Sequence, residues 1–169
     1  MRPARTRLIL ITAWAGSLWT VGYLVAPTLF ATLSDRALAG TIAGAMFRTE
    51  AWLSAACGVL LLCLYAVGTD VEPARRKAQM LTVAGMLACA AISHLGLQPM
   101  MAALREGVAG GAMDTAARSR FGMLHGVSMG LYLIQSVLAL LLVLRNGPAP
   151  RPKAANGDKA SSIGEAATR

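Results

Sequence analysis

Histidine and methionine are the residue types through which this chain could bind a cofactor. His94 and His125 both lie in long uncharged stretches, with methionines close to each of them in the sequence. Neutral imidazole is a ligand for iron and copper, and the methionine thioether is a soft ligand suited to Cu(I). These residues raise two hypotheses. One is a haem b held between the two histidines, and the other is a copper ion bound by them together with Met100, Met101 and Met123.

Both cofactor hypotheses have a simpler alternative, in which the histidines and methionines only pack between helices. The sequence contains neither an HxxxH nor an MxxM ligand motif, and methionine commonly fills space between apolar helices. A single histidine near a helix end is often a packing residue, and for His125 this interpretation predicts a hydrogen bond to Gln98 or Tyr132. Both histidines remain candidates for a function, because an ionisable group within a membrane span is costly and usually has a role.

The composition is that of an integral membrane protein. The 169 residues are 56% hydrophobic and 14% charged, and the mean hydropathy is +0.55, whereas a soluble domain carries about 25% charged residues. The apolar stretches are long enough, at about 1.5 Å per helical residue, to cross a hydrocarbon core of about 30 Å. We predict an all-α, four-helix transmembrane bundle in a domain of residues 1–144, with spans at about 8–33, 51–67, 80–101 and 121–144.

In three of the predicted spans, a distinct group of residues falls on one face of the helix. Polar groups are costly in hydrocarbon, so polar faces are expected to point into the bundle. In the last span this face consists of His125, Ser128, Tyr132, Gln135 and Ser136. In the first span one arc holds Thr12, Gly16, Trp19, Tyr23, Ala26 and Phe30. In the third span one face holds His94, Gln98 and Met101.

Local signals mark helix ends, kinks and close contacts. Ser34-Asp35 is a good helix start because a capping side chain, Ser34, is followed by an acid near the positive end of the helix dipole, and the helix could then continue to Gly68. On this interpretation Glu50 sits at the mouth of the second span. Pro27 and Pro99 are expected to kink their helices or, for Pro99, to end its helix. Gly22 and Ala26 form a small-xxx-small pair that lets helices approach closely.

The distribution of positive charge predicts the orientation in the membrane. Eleven of the 16 Lys and Arg residues lie in the N-terminus, the second loop or the tail, and five lie in the first and third loops. Cytoplasmic segments carry the excess of positive charge, so both termini are predicted to be cytoplasmic and both histidines to lie in the outer half of the membrane. Residues 145–169 are rich in Pro, Gly, Ser, Ala and charge, which predicts a disordered cytoplasmic tail.

Several function classes are disfavoured by the sequence. The net charge of +8 is explained by basic residues between and beside the hydrophobic stretches, as membrane topology requires. No patch of basic and aromatic residues indicates nucleic-acid binding. The odd number of cysteines, Cys57, Cys63 and Cys89, and the lack of a CxxC motif argue against disulfides and a zinc site. No phosphate-binding glycine loop and no pair of intramembrane carboxylates indicates an enzyme.

The order and spacing of several short motifs resemble a known family. WAGSLWTVGYLVAPTLFATL, AGTIAGAMF, QPMMAALR and FGMLHGVSM follow one another in the chain. They resemble the bacterial relatives of eukaryotic transmembrane protein 205, a domain-of-unknown-function family, over about residues 11–144. This resemblance implies a multi-pass protein of the bacterial inner membrane with four helices and no established catalytic activity.

The function predicted from these observations is that of a structural or interaction module in the membrane. Its partners would be the lipid bilayer and a second copy of the chain, since small-residue helix faces permit homo-oligomers. Haem or copper binding is the first alternative. A small oligomeric transporter is the second, although four helices offer little room for alternating access and no inverted repeat is visible.

Overall fold

The structure, a computed structural model, describes residues 3–68, 71–106 and 114–146, and every regular element in these ranges is a helix. Helix α1 comprises an α-helical segment Pro3–Trp19, a π-helical turn Thr20–Val25 and an α-helical segment Ala26–Thr32. Helix α2 is Arg36–Val67. Helix α3 comprises Pro73–Ala91, a π-helical turn Ile92–Leu97 and Gln98–Glu106. Helix α4 is Thr115–Asn146.

All four helices are long and apolar enough to cross a membrane. This confirms the prediction of an all-α protein with four helices capable, by length and composition, of spanning a membrane. The predicted tail of residues 145–169 lies outside the described residues from residue 147 onward.

Helix α2 begins and ends where the sequence predicts. The Asp35 carboxylate Oδ1 accepts hydrogen bonds from the backbone N–H groups of Ala37 and Leu38, at 2.8 and 3.1 Å. These bonds satisfy two of the amides that a helix start leaves without partners. The helix then runs without interruption to its C-cap at Gly68. Glu50 is therefore close to the middle of a 32-residue helix and not at the mouth of a span that starts at residue 51.

The bundle is closed at the end that carries the start of α1 and the end of α4. Each helix packs on two neighbours in the order α1, α2, α3, α4 and back to α1. The Tyr65 hydroxyl and the Gln79 amide both donate to Asn146 Oδ1, at 3.1 and 3.0 Å, which ties α2, α3 and α4 together. The apolar core of this half consists of Ile11, Trp14, Ala15, Leu18, Cys57, Leu61, Tyr65, Val83, Met86, Ala139 and Leu142.

The opposite half of the bundle is organised as two hairpins. The Ala26–Thr32 segment of α1 packs on α2, and the Gln98–Glu106 segment of α3 packs on α4. A cavity separates these two hairpins, and both of them contribute to its wall. The fold therefore combines a tightly packed half with an open half.

A π-helical turn lies just before each of the two prolines in the spans. The turns end at Val25 and Leu97, two residues before Pro27 and Pro99. Proline removes a backbone donor and crowds the preceding turn, and a wider π turn relieves this crowding. The sequence predicts that Pro99 either kinks its helix or ends it, and the second effect is not found, because helix α3 continues to Glu106 beyond the proline.

The π turn in α1 also changes which residues face inward. The predicted single face of the first span is wrong in its first half, where Thr12 and Gly16 are exposed and Trp14 and Leu18 are buried. A π turn uses more residues per turn than an α-helix, so the inward faces before and after it are out of register. A prediction that assumes a constant period of 3.6 residues wrongly places these two inward faces on the same side of the helix.

Candidate ligand-binding cavity

The cavity between the hairpins has a volume of about 620 Å³. This volume lies within the range of ordinary small-molecule sites, which are also mostly apolar with a few polar groups. The cavity is partly open to the surface: its exposed wall residues include Arg105 and His125, near the end of α3 and the start of α4, and also Tyr23 and Met129. The polar and ionisable residues of its wall are Tyr23, Glu50, Ser93, His94, Gln98, Arg105, His125, Ser128, Tyr132 and Gln135.

Glu50 is the deepest charged residue of the cavity wall. Its side chain is only 6% exposed, and its Oε1 accepts a hydrogen bond of 2.7 Å from the Ser54 hydroxyl. The Ser54 oxygen in turn accepts a hydrogen bond of 2.6 Å from the indole N–H of Trp14. Because the indole occupies the oxygen of Ser54, the hydroxyl hydrogen is directed to Glu50. The closed half of the bundle thereby fixes the carboxylate at the base of the cavity.

Aromatic side chains form the wall next to this carboxylate. The Tyr132 ring lies edge-to-face against both Phe47 and Tyr23, with centroid distances of 5.5 and 6.1 Å. The Tyr132 hydroxyl donates to the backbone carbonyl of Leu18, and the Tyr23 hydroxyl donates to Ser136 Oγ at 3.0 Å. These two bonds join α1 to α4 and hold the rings in place. The prediction that the polar face of the last span points into the bundle is confirmed.

Both histidines lie on the wall of the same cavity. The His94 ring is edge-to-face with Trp52 at 6.4 Å, and the His125 ring stacks on Phe121 at 6.1 Å. Within the described residues, His125 forms no hydrogen bond to Gln98 or Tyr132, so the bond predicted for it is not found. The Tyr132 hydroxyl donates to the Leu18 carbonyl instead. The structure therefore brings together two residues that are 31 positions apart in the sequence.

Comparison with known proteins assigns the chain to a family. Residues 9–109, which cover α1 to α3, match the family described as Domain of unknown function (DUF4149). The chain belongs to this family. No curated protein and no solved structure matches it significantly. The matched residues include Glu50, Ser54 and His94 but stop before α4, which supplies His125, Tyr132 and Gln135 to the cavity of this DUF4149 protein.

The methionines predicted as copper ligands do not all reach the cavity. Met101 is buried and belongs to the wall. Met100 and Met123 are 55% and 67% exposed on the outside of the bundle. Among the described residues, no group of three or more His, Cys, Asp or Glu side chains is arranged to hold a metal ion. Of the five predicted site residues, the cavity of the DUF4149 protein gathers His94, His125 and Met101.

Sequence reasoning missed Glu50, the most deeply buried acid of the described residues. A local signal for it exists. Glu50 and Ser54 are four residues apart and therefore share a face of the continuous helix that the Ser34-Asp35 start predicts. The partner that reveals the role of this pair, Trp14, lies on α1 and has no sequence signal that connects it to Ser54.

Proposed function

We propose that this DUF4149 protein binds a small, largely apolar molecule in the cavity between its two hairpins. The observation that carries the proposal is the cavity itself, which has a volume of about 620 Å³ and a buried carboxylate in its wall. Protein interiors are otherwise close-packed, and an unfilled cavity lowers stability. A purely structural or interaction module, as predicted from the sequence, gives no reason to keep such a space.

A cavity-filling substitution tests this proposal. Gly44 belongs to the cavity wall, and a Cβ atom added there meets no atom within 4 Å. Because the added Cβ has open space, we expect the Gly44→Leu side chain to occupy part of the cavity and to weaken the saturable binding of 1-aminoanthracene, a neutral aromatic probe that fluoresces in apolar sites. The measurement is a fluorescence titration of the purified protein in a neutral detergent, with the linear partitioning into micelles subtracted.

Gly126→Leu is the matched control for this experiment. A Cβ atom at Gly126 also has open space, but this exposed residue of α4 lies outside the cavity wall. The control should bind the probe as the wild type does. Equal binding by all three proteins, or no saturable binding by the wild type, contradicts the proposal.

Haem b binding is the second candidate, favoured by the position of His94 and His125 on one cavity wall. The two histidines lie on the neighbouring helices α3 and α4 of one hairpin. A pair of neutral imidazoles can hold haem iron, and either could instead bind copper with Met101. We expect a haem-binding protein to show a Soret band that disappears in both His94→Ala and His125→Ala. A metal analysis of the same samples tests copper, and a colourless, metal-free wild type after supplementation with haem and copper contradicts both.

The setting that we propose for this site is the bacterial inner membrane, with both termini in the cytoplasm. The excess of Lys and Arg in the terminal and second-loop segments supports this orientation. The cavity lies in the half of the bundle opposite the start of α1 and the end of α4, so this half would lie toward the outer side. Association with a second copy and the relationship to transmembrane protein 205 are part of the same proposal and rest on the sequence patterns.

A further inference from the structure

Two polar side chains of the cavity wall, Glu50 and Gln135, could form an ion pair or a hydrogen bond that no described residue provides. Glu50 is held through Oε1, and among the described residues no Lys or Arg side chain forms an ion pair with it. Gln135 is 3% exposed, and its side-chain nitrogen Nε2 has no hydrogen-bond partner in the described part of the chain. A buried polar atom without a partner costs stability, so such atoms mark places where a ligand supplies the missing contact.

The position of Glu50 makes a negative charge there costly without a positive counterpart. The residue is 14 positions from the start of α2 at Arg36, or roughly 20 Å along the helix axis at 1.5 Å per residue. The charged residue at the cavity mouth, Arg105, lies near the end of α3, with its guanidinium 5.0 Å from the centroid of the Phe121 ring. A carboxylate at such a depth normally pairs with a cation or lines a functional pathway.

The aromatic wall adds a second feature that attracts cations. Phe47 is three residues before Glu50 and therefore lies on the same face of α2. Its ring contacts Tyr132, which contacts Tyr23, and all three rings belong to the cavity wall. Aromatic rings attract cations through their faces, and this attraction is strongest where water is excluded. Glu50 and these rings line the same cavity, and a carboxylate together with aromatic rings is a typical composition of a site for an organic cation.

We propose that the cavity takes an organic ammonium ion, that is, a protonated or quaternary amine attached to an aromatic or alkyl body. This inference rests on the proposed function and names its ligand class. The Glu50 carboxylate supplies the counter-charge and the apolar wall receives the body. Gln135 Nε2 is a donor, so it does not contact the ammonium group and instead suits a hydrogen-bond acceptor on the body of the ligand. A lipid headgroup is not the occupant, since Glu50 lies near the middle of its helix and headgroups lie at the membrane surface.

A pair of isosteric probes separates charge from shape. Benzyltrimethylammonium and neopentylbenzene differ only in the replacement of the positively charged nitrogen by carbon. We expect benzyltrimethylammonium to displace 1-aminoanthracene from the wild type, and its affinity to fall by about tenfold or more in Glu50→Gln. Glutamine keeps the size of the side chain and an oxygen for the Ser54 hydroxyl, so the affinity of neopentylbenzene should change by less than about twofold.

The outcomes of this experiment distinguish the two proposals. If Glu50→Gln weakens both probes equally, or leaves the affinity of benzyltrimethylammonium unchanged, the cavity binds apolar molecules but the ammonium inference is wrong. If benzyltrimethylammonium fails to displace 1-aminoanthracene from the wild type, the ammonium inference is likewise wrong. The absence of saturable 1-aminoanthracene binding in the wild type would instead overturn the proposed function. Gly44→Leu should weaken the binding of both isosteres, and Gly126→Leu should not.

Discussion

We expect Gly22→Ala to lower the free energy of unfolding by about 2–4 kcal/mol, an estimate that combines overpacking with the loss of one hydrogen bond. A Cβ atom at Gly22 would lie 2.2 Å from Tyr132 Cε1 and 2.6 Å from the Tyr132 hydroxyl oxygen. The ring has little room to retreat, because its hydroxyl bonds to Leu18 and its edge packs on Phe47. The substitution must therefore move α1 away from α4 or break these contacts.

The same helix offers a matched control for this prediction. A Cβ atom at Gly16 meets nothing within 4 Å, so Gly16→Ala should leave the stability unchanged or raise it by about 0.5–1 kcal/mol through helix propensity. Both variants can be measured by titration with sodium dodecyl sulfate in mixed micelles. Combined with Tyr132→Ala, Gly22→Ala should cost no more than the Gly16 control, because the clash is gone. An equal cost with and without the tyrosine ring would show that the contact does not cause the loss.

Features with a local origin could be predicted from the sequence. The inward face of α4 repeats at the helical period, so His125, Ser128 and Tyr132 were correctly expected to face the bundle interior. The start of α2 depends on Asp35 and the amides of its own first turn. In both cases the residues that decide the structure are neighbours in the sequence.

Features that depend on distant residues could not be predicted in this way. Hydropathy starts the second span at residue 51 because Arg48 and Glu50 lower the local average, although α2 continues through them. The burial of Glu50 depends on the hydrogen bonds that link it through Ser54 to Trp14 on another helix. The π turn in α1 likewise changes the inward face without changing the apolar character of the sequence. The cavity was missed because it arises from how the two hairpins separate.

The second large effect is expected at Ser54, the residue that joins Trp14 to Glu50. Ser54→Ala leaves the Trp14 indole N–H and Glu50 Oε1 without the partners that the described residues provide. All three side chains are buried, and each unsatisfied buried group costs about 1–3 kcal/mol, somewhat less between membrane helices. We expect the free energy of unfolding to fall by about 2–4 kcal/mol in the same detergent titration.

A threonine on the same helix provides the control for deletion of the Ser54 hydroxyl. The Thr41 hydroxyl bonds only to the Ala37 carbonyl of its own turn at 3.0 Å and is exposed, so Thr41→Ala should change the stability by less than about 0.5 kcal/mol. In a protein that already carries Trp14→Phe and Glu50→Leu, Ser54→Ala should be nearly neutral as well, since no buried group then depends on the hydroxyl. If Ser54→Ala costs as much in that background as in the wild type, its effect comes from packing. Glu50 would then be fixed at the cavity base by something other than the Trp14–Ser54–Glu50 chain.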